Sequence, residues 1–310
     1  MTVANTLECI TKSVEYKYIF KQYNIVPFTN KDTSNCVIIW NPIYCCEELF
    51  YYRKNNNLSV LSIERGPLPN TIYISNKINI MTDIIPNNDI NESEEDIIVK
   101  YLDHIKRRDI VLQEQQRCNI KSIKNRIKTY KKVIFIPLQV YTDTSIIRYS
   151  RWVKNISNLI IIVNIIADKY KDIIFLVKNH PVEHTKFSTR RKNIIIVDNY
   201  HFMDILEVSN KVITINSSIG LYAMIFDVPC GILGESFYIV DNVNIQMNNL
   251  TDICTFIENN DFTIKYNNVK RFIYNLKYRY LYDAPQIKNK ETDNKTKFVC
   301  DNIIIRDDII

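Results

Sequence analysis

Glycine is almost missing from this chain. Only four occur in 310 residues, Gly66, Gly220, Gly231 and Gly234, and three of them fall within "TINSSIGLYAMIFDVPCGILG". Glycine is needed where φ is positive or where another group must come close to the main chain. In a chain this poor in it, the survivors mark positions with a backbone demand. Histidine is equally scarce, at positions 104, 180, 184 and 201. The eight cysteines, at 9, 36, 45, 46, 118, 230, 254 and 300, form no C-x-x-C pair and no Cys/His cluster with zinc spacing. His180 and His184 are four apart, but Pro181 follows the first and no Glu completes an H-E-x-x-H helix. No metal site and no bound cofactor is expected. Scattered cysteines in a chain of this size read as reduced thiols of a cytosolic protein.

Other absences narrow the class further. "MTVANTLECITKSVEYKY" lacks the basic-then-apolar order of a secretory leader. The most apolar run, "NLIIIVNIIA", is about half of what spans a bilayer. A cytoplasmic protein is expected, with peripheral contact at the inner face of a membrane left open. Lys plus Arg number 40 against 34 Asp plus Glu, a net charge of +6, and the lysines are spread along the chain. That is not the concentrated basic stripe of a nucleic-acid binder. A mildly positive surface suits a nucleotide or an anionic sugar.

What is present is an alternation of strand and helix patterns. Short apolar runs, "CVIIW", "LSVLSIERG", "KKVIFIPLQV", "DIIFLVKNHP", "NIIIVD", "KVITINSS" and "PCGILG", read as strands. Between them, "CCEELFYYRKNN", "IIRYSRWVKNISNLIIIVNIIADKY", "YHFMDILEVSN" and "IGLYAMIFD" read as helices, as does the charged segment around 96–130. Such alternation predicts parallel sheets with crossover helices. The expected organisation is two doubly wound, Rossmann-like α/β domains facing a cleft, over 1–125 and 126–250. Two helices and a polar, partly disordered tail follow over 251–310.

Three segments sit just past predicted strands, where ligands of open α/β sheets bind. In "NSSIG", Ser217 and Ser218 precede a helix whose first N–H groups lack intrahelical partners, which suits a phosphate, and Gly220 lets the turn lie close to it. A plain N-cap is the alternative. In "KNHP", His180 before Pro181 can donate to a phosphate oxygen; a structural turn is the alternative. In "ERGPLP", Glu64 ends a strand beside Gly66 and is a candidate general base or nucleophile, with Arg65 expected to favour its ionised form. A surface Glu–Arg pair is the alternative. Gly231 and Gly234 shape the strand and loop around them.

"ERGPLPNTIYIS", "PLQVYTDTSI", "VKNHP" and "TINSSIGLYAMIFDVPCGILGESFY", in this order and spacing, resemble the capsule polysaccharide biosynthesis family, which includes Kdo transferases of bacterial capsule export. The His-Pro and Ser-Ser pairs also resemble motifs by which bacterial sialyltransferases hold CMP. The resemblance covers roughly 36–240. It implies a GT-B-like fold and a glycosyltransferase moving a sugar, foremost Kdo, from a CMP-sugar to a glycan or glycolipid acceptor. It assigns His180 and Pro181 to the CMP phosphate or cytidine, Ser217 and Ser218 to the phosphate, and Glu64 with Gly66 to the acidic-x-Gly motif of the catalytic carboxylate. Arg65 departs from the family's pattern, in which a second acid or Asp often precedes this glycine, so Asp143 is the reserve carboxylate. Arg65, Lys178, Arg190 and Arg191 are basic candidates for the donor carboxylate or an anionic acceptor. Other readings of the same fold are a UDP- or GDP-sugar transferase, an epimerase, or a nucleotide- or sugar-binding homologue without activity.

Overall fold

The computed structural model describes residues 36–40, 47–57, 59–75, 77, 80–110 and 120–283. The chain divides into two compact units. Among the described residues, one holds 36–80 together with 277–283, the other 81–276. The boundaries expected at 125 and 250 therefore both fall inside the second unit. The expected tail beyond Asp283 lies outside the described residues.

In the first unit, β1 (Cys36–Trp40), β2 (Ser59–Arg65), β3 (Thr71–Ser75) and β10 (Tyr282–Asp283) form one sheet in that order. α1 (Glu47–Asn55) connects β1 to β2, which pair in parallel. The β2–β3 and β3–β10 pairs are antiparallel, so this sheet is mixed where an all-parallel one was expected. The reason is the short turn at Gly66–Asn70. A two-residue to five-residue connection can join only antiparallel neighbours. Gly66 N–H donates to the Thr71 carbonyl at 2.8 Å, Thr71 Oγ1 donates to the Leu68 carbonyl, and Asn70 supplies the left-handed residue at φ 54°. A Cβ on Gly66 would lie 2.1 Å from Thr71 Oγ1, so this glycine is what lets the hairpin close.

The second unit opens with α2 (Glu92–Arg107), which has a capping box between Asn91 and Glu94 and packs against α9 (Tyr266–Tyr274). The charged segment expected to be helical around 96–130 belongs to this unit. Arg108 ends α2 in the left-handed conformation at φ 67°, and α3 (Lys121–Ile127) is a separate helix. Next come β4 (Lys132–Pro137), α4 (Thr144–Tyr149), α5 (Ile156–Lys169), β5 (Ile173–Lys178) and β6 (Ile194–Ile196). They are followed by α6 (Phe202–Leu206), β7 (Lys211–Thr214), α7 (Ile219–Ile225), β8 (Cys230–Ile232), β9 (Asn244–Gln246) and α8 (Leu250–Glu258). The single helix expected between β4 and β5 is two, because Asn155 caps a new start by accepting from the Asn158 N–H.

The sheet order is β6-β5-β4-β7-β8-β9, all parallel. Counted within the unit this is 3-2-1-4-5-6, the Rossmann order, with its switch point between β4 and β7. Ile134 and Ile136 of β4, Phe175 and Val177 of β5, and Ile213 of β7 share a core with the apolar stripe of α5 and with Ile253, Phe256 and Ile257 of α8. The alternate residues Phe135, Leu176 and Val212 are equally buried, so the strands are covered on both faces. Each such side chain stabilises the fold by about 1.5–3 kcal/mol. That core fixes the strand ends from which the site is built.

Candidate active site

Three connections leave the carboxyl ends of β4, β5 and β7, and β4 lies between the other two. They carry Gln139 and Asp143, His180, and Asn216 with Ser217 and Ser218. Two buried amides join the β4 and β7 loops across the switch point. Gln139 Nε2 donates to Asn216 Oδ1 at 3.0 Å, and the Asn216 N–H donates back to Gln139 Oε1 at 3.3 Å. Asn216 Nδ2 also donates to the Ser145 carbonyl at 2.8 Å. These two residues were missed in the sequence, although both stand inside the quoted motifs. An amide buried beside a strand end is the only signal that marks them.

Asp143 is the N-cap of α4. Its Oδ1 accepts from the Ser145 N–H at 2.8 Å and its Oδ2 from Gln139 Nε2 at 3.0 Å. With both oxygens engaged, Asp143 acts in this structure as a cap and as a fixed negative charge. His180 is half-buried. Burial pushes its pKa down, the Asp143 and Glu183 charges push it up, and Lys178 adds to the lowering. Its Nδ1 accepts from the Val182 N–H at 3.4 Å, which leaves Nε2 as the donor toward a ligand. The ring is followed by exposed Pro181 and Val182.

Ser217 closes the turn before α7. Its Oγ accepts from the Ile219 N–H at 3.2 Å, and its carbonyl accepts from Gly220 N–H and from the hydroxyl of buried Tyr238. Ser217 is therefore a local cap. Ser218 differs: it makes no side-chain cap bond, and its N–H has no partner among the described residues. The close approach at Gly220 is made by Tyr238, whose hydroxyl would be 2.5 Å from an added Cβ. At Gly231 and Gly234 the neighbours are Met247 and the Tyr149 carbonyl. None of the four glycines has a positive φ; Asn57, Asn70, Arg108, Asp227 and Asn242 fill that role instead.

Of the basic candidates, Lys178 is committed within the fold. It is buried and donates to the Asp198 and Tyr200 carbonyls, each at 2.8 Å. Arg191 bonds Asn164 Oδ1 at 2.7 Å and pairs with Asp168. Arg65 and Arg190 are exposed.

Glu64 lies in the first unit, near the end of β2 opposite Tyr73. Its Oε1 is buried with no hydrogen-bond partner among the described residues. Burial raises its pKa from 4.5 to about 7. The expected help from Arg65 is not found, because successive residues of a strand point to opposite faces and burial alone drives the shift. An unpaired, buried carboxyl that titrates near neutrality is suited to taking up a proton. No group of three or more His, Cys, Asp or Glu able to hold a metal occurs among the described residues. No described helix is long and apolar enough to cross a membrane.

Residues 96–280 match the family model described as capsule polysaccharide biosynthesis protein. The fold is similar to the beta Kdo 2,7 transferase of KpsC from Thermosulfurimonas dismutans, with a TM-score of 0.58 at 14% identity over 94% of this chain and 96% of that one. It is similar also to the beta Kdo 2,4 transferase of the same KpsC, with a TM-score of 0.59 at 12% identity over 76% of this chain and 78% of that one. These likenesses place the chain in the GT-B fold with Rossmann-like domains. Protein FixF of Sinorhizobium fredii is 25% identical over 120 residues, 38% of this chain and 30% of FixF, so the match spans under a third of that curated relative.

Proposed function

Because this chain belongs to the capsule polysaccharide biosynthesis protein family, we propose that it is a glycosyltransferase that moves a sugar, foremost Kdo, from a CMP-activated donor to a glycan or glycolipid acceptor. One observation carries the reading. At the switch point of a Rossmann-ordered sheet, His180 Nε2 and the Ser218 hydroxyl and N–H have no partner among the described residues, while Gln139, Asp143, Asn216 and Ser217 beside them are engaged. Donors held this way suit the phosphate of a departing nucleotide, since they need no reorganisation as charge develops.

In this reading Ser217 shapes the turn that presents Ser218, and Asp143 biases His180 toward its protonated, phosphate-binding form. Glu64 takes the proton of the acceptor hydroxyl. The fixed donors supply the positive potential, so the reaction requires no metal ion.

The test is a thermal shift and titration with CMP, CDP, UMP and GMP. CMP should bind in preference to UMP and GMP, and at 100 times its Kd it should stabilise the fold by about 2.7 kcal/mol. His180→Ala and Ser218→Ala should each weaken CMP binding by roughly tenfold or more, the range of a hydrogen bond to a charged group. Ser217→Ala should cost fold stability more than affinity. Excess chelator should leave CMP binding and transfer unchanged. No nucleotide binding by the folded chain, or unchanged CMP affinity in both His180→Ala and Ser218→Ala, would defeat the assignment.

A further inference from the structure

The loop that carries His180 is folded around a carboxylate that the family motifs do not include. Glu183 Oε1 accepts from the His184 N–H at 2.9 Å and the Thr185 N–H at 3.1 Å. Its Oε2 accepts from the Tyr141 N–H at 2.9 Å, and Tyr141 lies in the β4–α4 connection, two residues before Asp143. The Glu183 N–H donates to the His180 carbonyl at 3.0 Å. The other end of the loop is tied separately. Asn179, itself buried, accepts from the Phe187 N–H at 2.8 Å and donates to the Phe187 carbonyl at 3.1 Å, while Asp198 holds the Asn179 N–H at 2.8 Å. Asn179 therefore closes the base of the loop, and Glu183 is the side chain bonded from its tip to the neighbouring connection.

We propose that Glu183 is a positioning residue: its carboxylate joins the His180 loop to the β4–α4 connection and so fixes His180 against Asp143. The inference deepens the donor-site reading and rests on it for its consequence, which is a preset phosphate donor. The joint itself does not depend on what binds there. The Tyr141 and His184/Thr185 amides need an acceptor on each oxygen, and only an ionised carboxylate offers two. The Tyr141 bond is the largest cause holding the Glu183 carboxyl below its ordinary range, so the joint persists through neutral pH.

Glu183→Gln keeps the size but offers one acceptor oxygen; that oxygen stays with the His184 and Thr185 amides beside it in sequence, so Tyr141 is released. On the full-length chain, three readouts apply. First, exchange of the Tyr141 amide should quicken by about tenfold or more in Glu183→Gln, the range expected for loss of one hydrogen bond to a charged group, while amides of β4 and β5 stay protected. Second, the His180 ring is titrated by NMR with and without Asp143→Asn. The groups acting on that ring are Asp143, Glu183 and Lys178. The change that Asp143→Asn produces should be clearly smaller in the Glu183→Gln background, because the two loops no longer keep their spacing. Third, CMP affinity should fall about tenfold, as expected when a donor loses its preset geometry.

Unchanged Tyr141 exchange, or an undiminished effect of Asp143→Asn on the ring, overturns the joint. A broken joint with wild-type CMP affinity overturns the positioning role. If the wild-type chain binds no CMP, the transferase reading fails, and the first two readouts still decide the joint. Should Glu183→Gln not fold, Glu183→Asp carries the same measurements: it keeps both acceptor oxygens and shortens the reach by one methylene.

Discussion

Glu64 is the base of the proposed transfer, and its burial also bears on the stability of the fold. A carboxyl whose pKa rises on folding is destabilising where the unfolded chain ionises it and the folded chain resists. Below pH 4.5 both states hold the proton and there is no penalty. Between 4.5 and about 7 the penalty grows, and above 7 it is complete. Glu64→Gln should therefore be more stable than the wild type at pH 8, by about 1–3 kcal/mol. At pH 4 the two should be alike, as read by urea denaturation at each pH. Transfer should fall by roughly 10²-fold or more, the usual range for a lost general base, with CMP affinity retained. In the wild type, transfer should rise through pH 7 as Glu64 gives up its proton. If Glu64→Gln transfers at the native rate and Asp143→Asn does not, the base is Asp143. The motif made Glu64 visible in the sequence. Its burial was not legible, because burial depends on neighbours far along the chain, and adjacent Arg65 pointed the inference the wrong way.

At the scale of elements, the alternation of apolar strands and amphipathic helices was legible because strands buried on both faces are continuous apolar runs. β3 and β9 were missed: "TIYIS" follows a turn so tight that it reads as part of it, and "NIQ" has a single apolar side chain. The helix break at Arg108 was hidden for a related reason. This chain puts Arg, Asn and Asp where others put glycine, so the usual stop signal is absent. Its glycines answer to side-chain crowding instead. Gly220→Ala would set a methyl 2.5 Å from the Tyr238 hydroxyl and 2.7 Å from its Cε2, in a core where Tyr238 is fully buried. The substitution should destabilise the chain by about 1–3 kcal/mol, as overpacking does, despite alanine's better helix propensity. Tyr238→Phe removes the nearest atom, so the cost of Gly220→Ala should be smaller in that background. Equal costs in both backgrounds would show that Tyr238 is not what excludes the methyl.

For the whole molecule, the chain leaves the first unit at 80 and returns to it at 277, so the second unit is one continuous segment. A continuous segment with its own parallel sheet, both faces covered, meets the conditions for folding alone. Its edges are secured inside it: Asn275 Nδ2 donates to the Asn88 carbonyl at 2.8 Å, and Arg271 bonds Asp89 at 2.9 Å, so the two ends of residues 81–276 hold each other. The groups proposed for the nucleotide, His180 and Ser218, and their supports Gln139, Asn216, Glu183 and Tyr238, all lie within it. Residues 81–276 expressed by themselves should unfold in one cooperative urea transition and bind CMP within about threefold of the full chain, since distant, independent parts contribute additively. The segment should show no transfer, because Glu64 is not in it. A segment that folds but has lost CMP binding would mean that the first unit supplies part of the nucleotide site. A segment that transfers sugar would remove Glu64 from the mechanism.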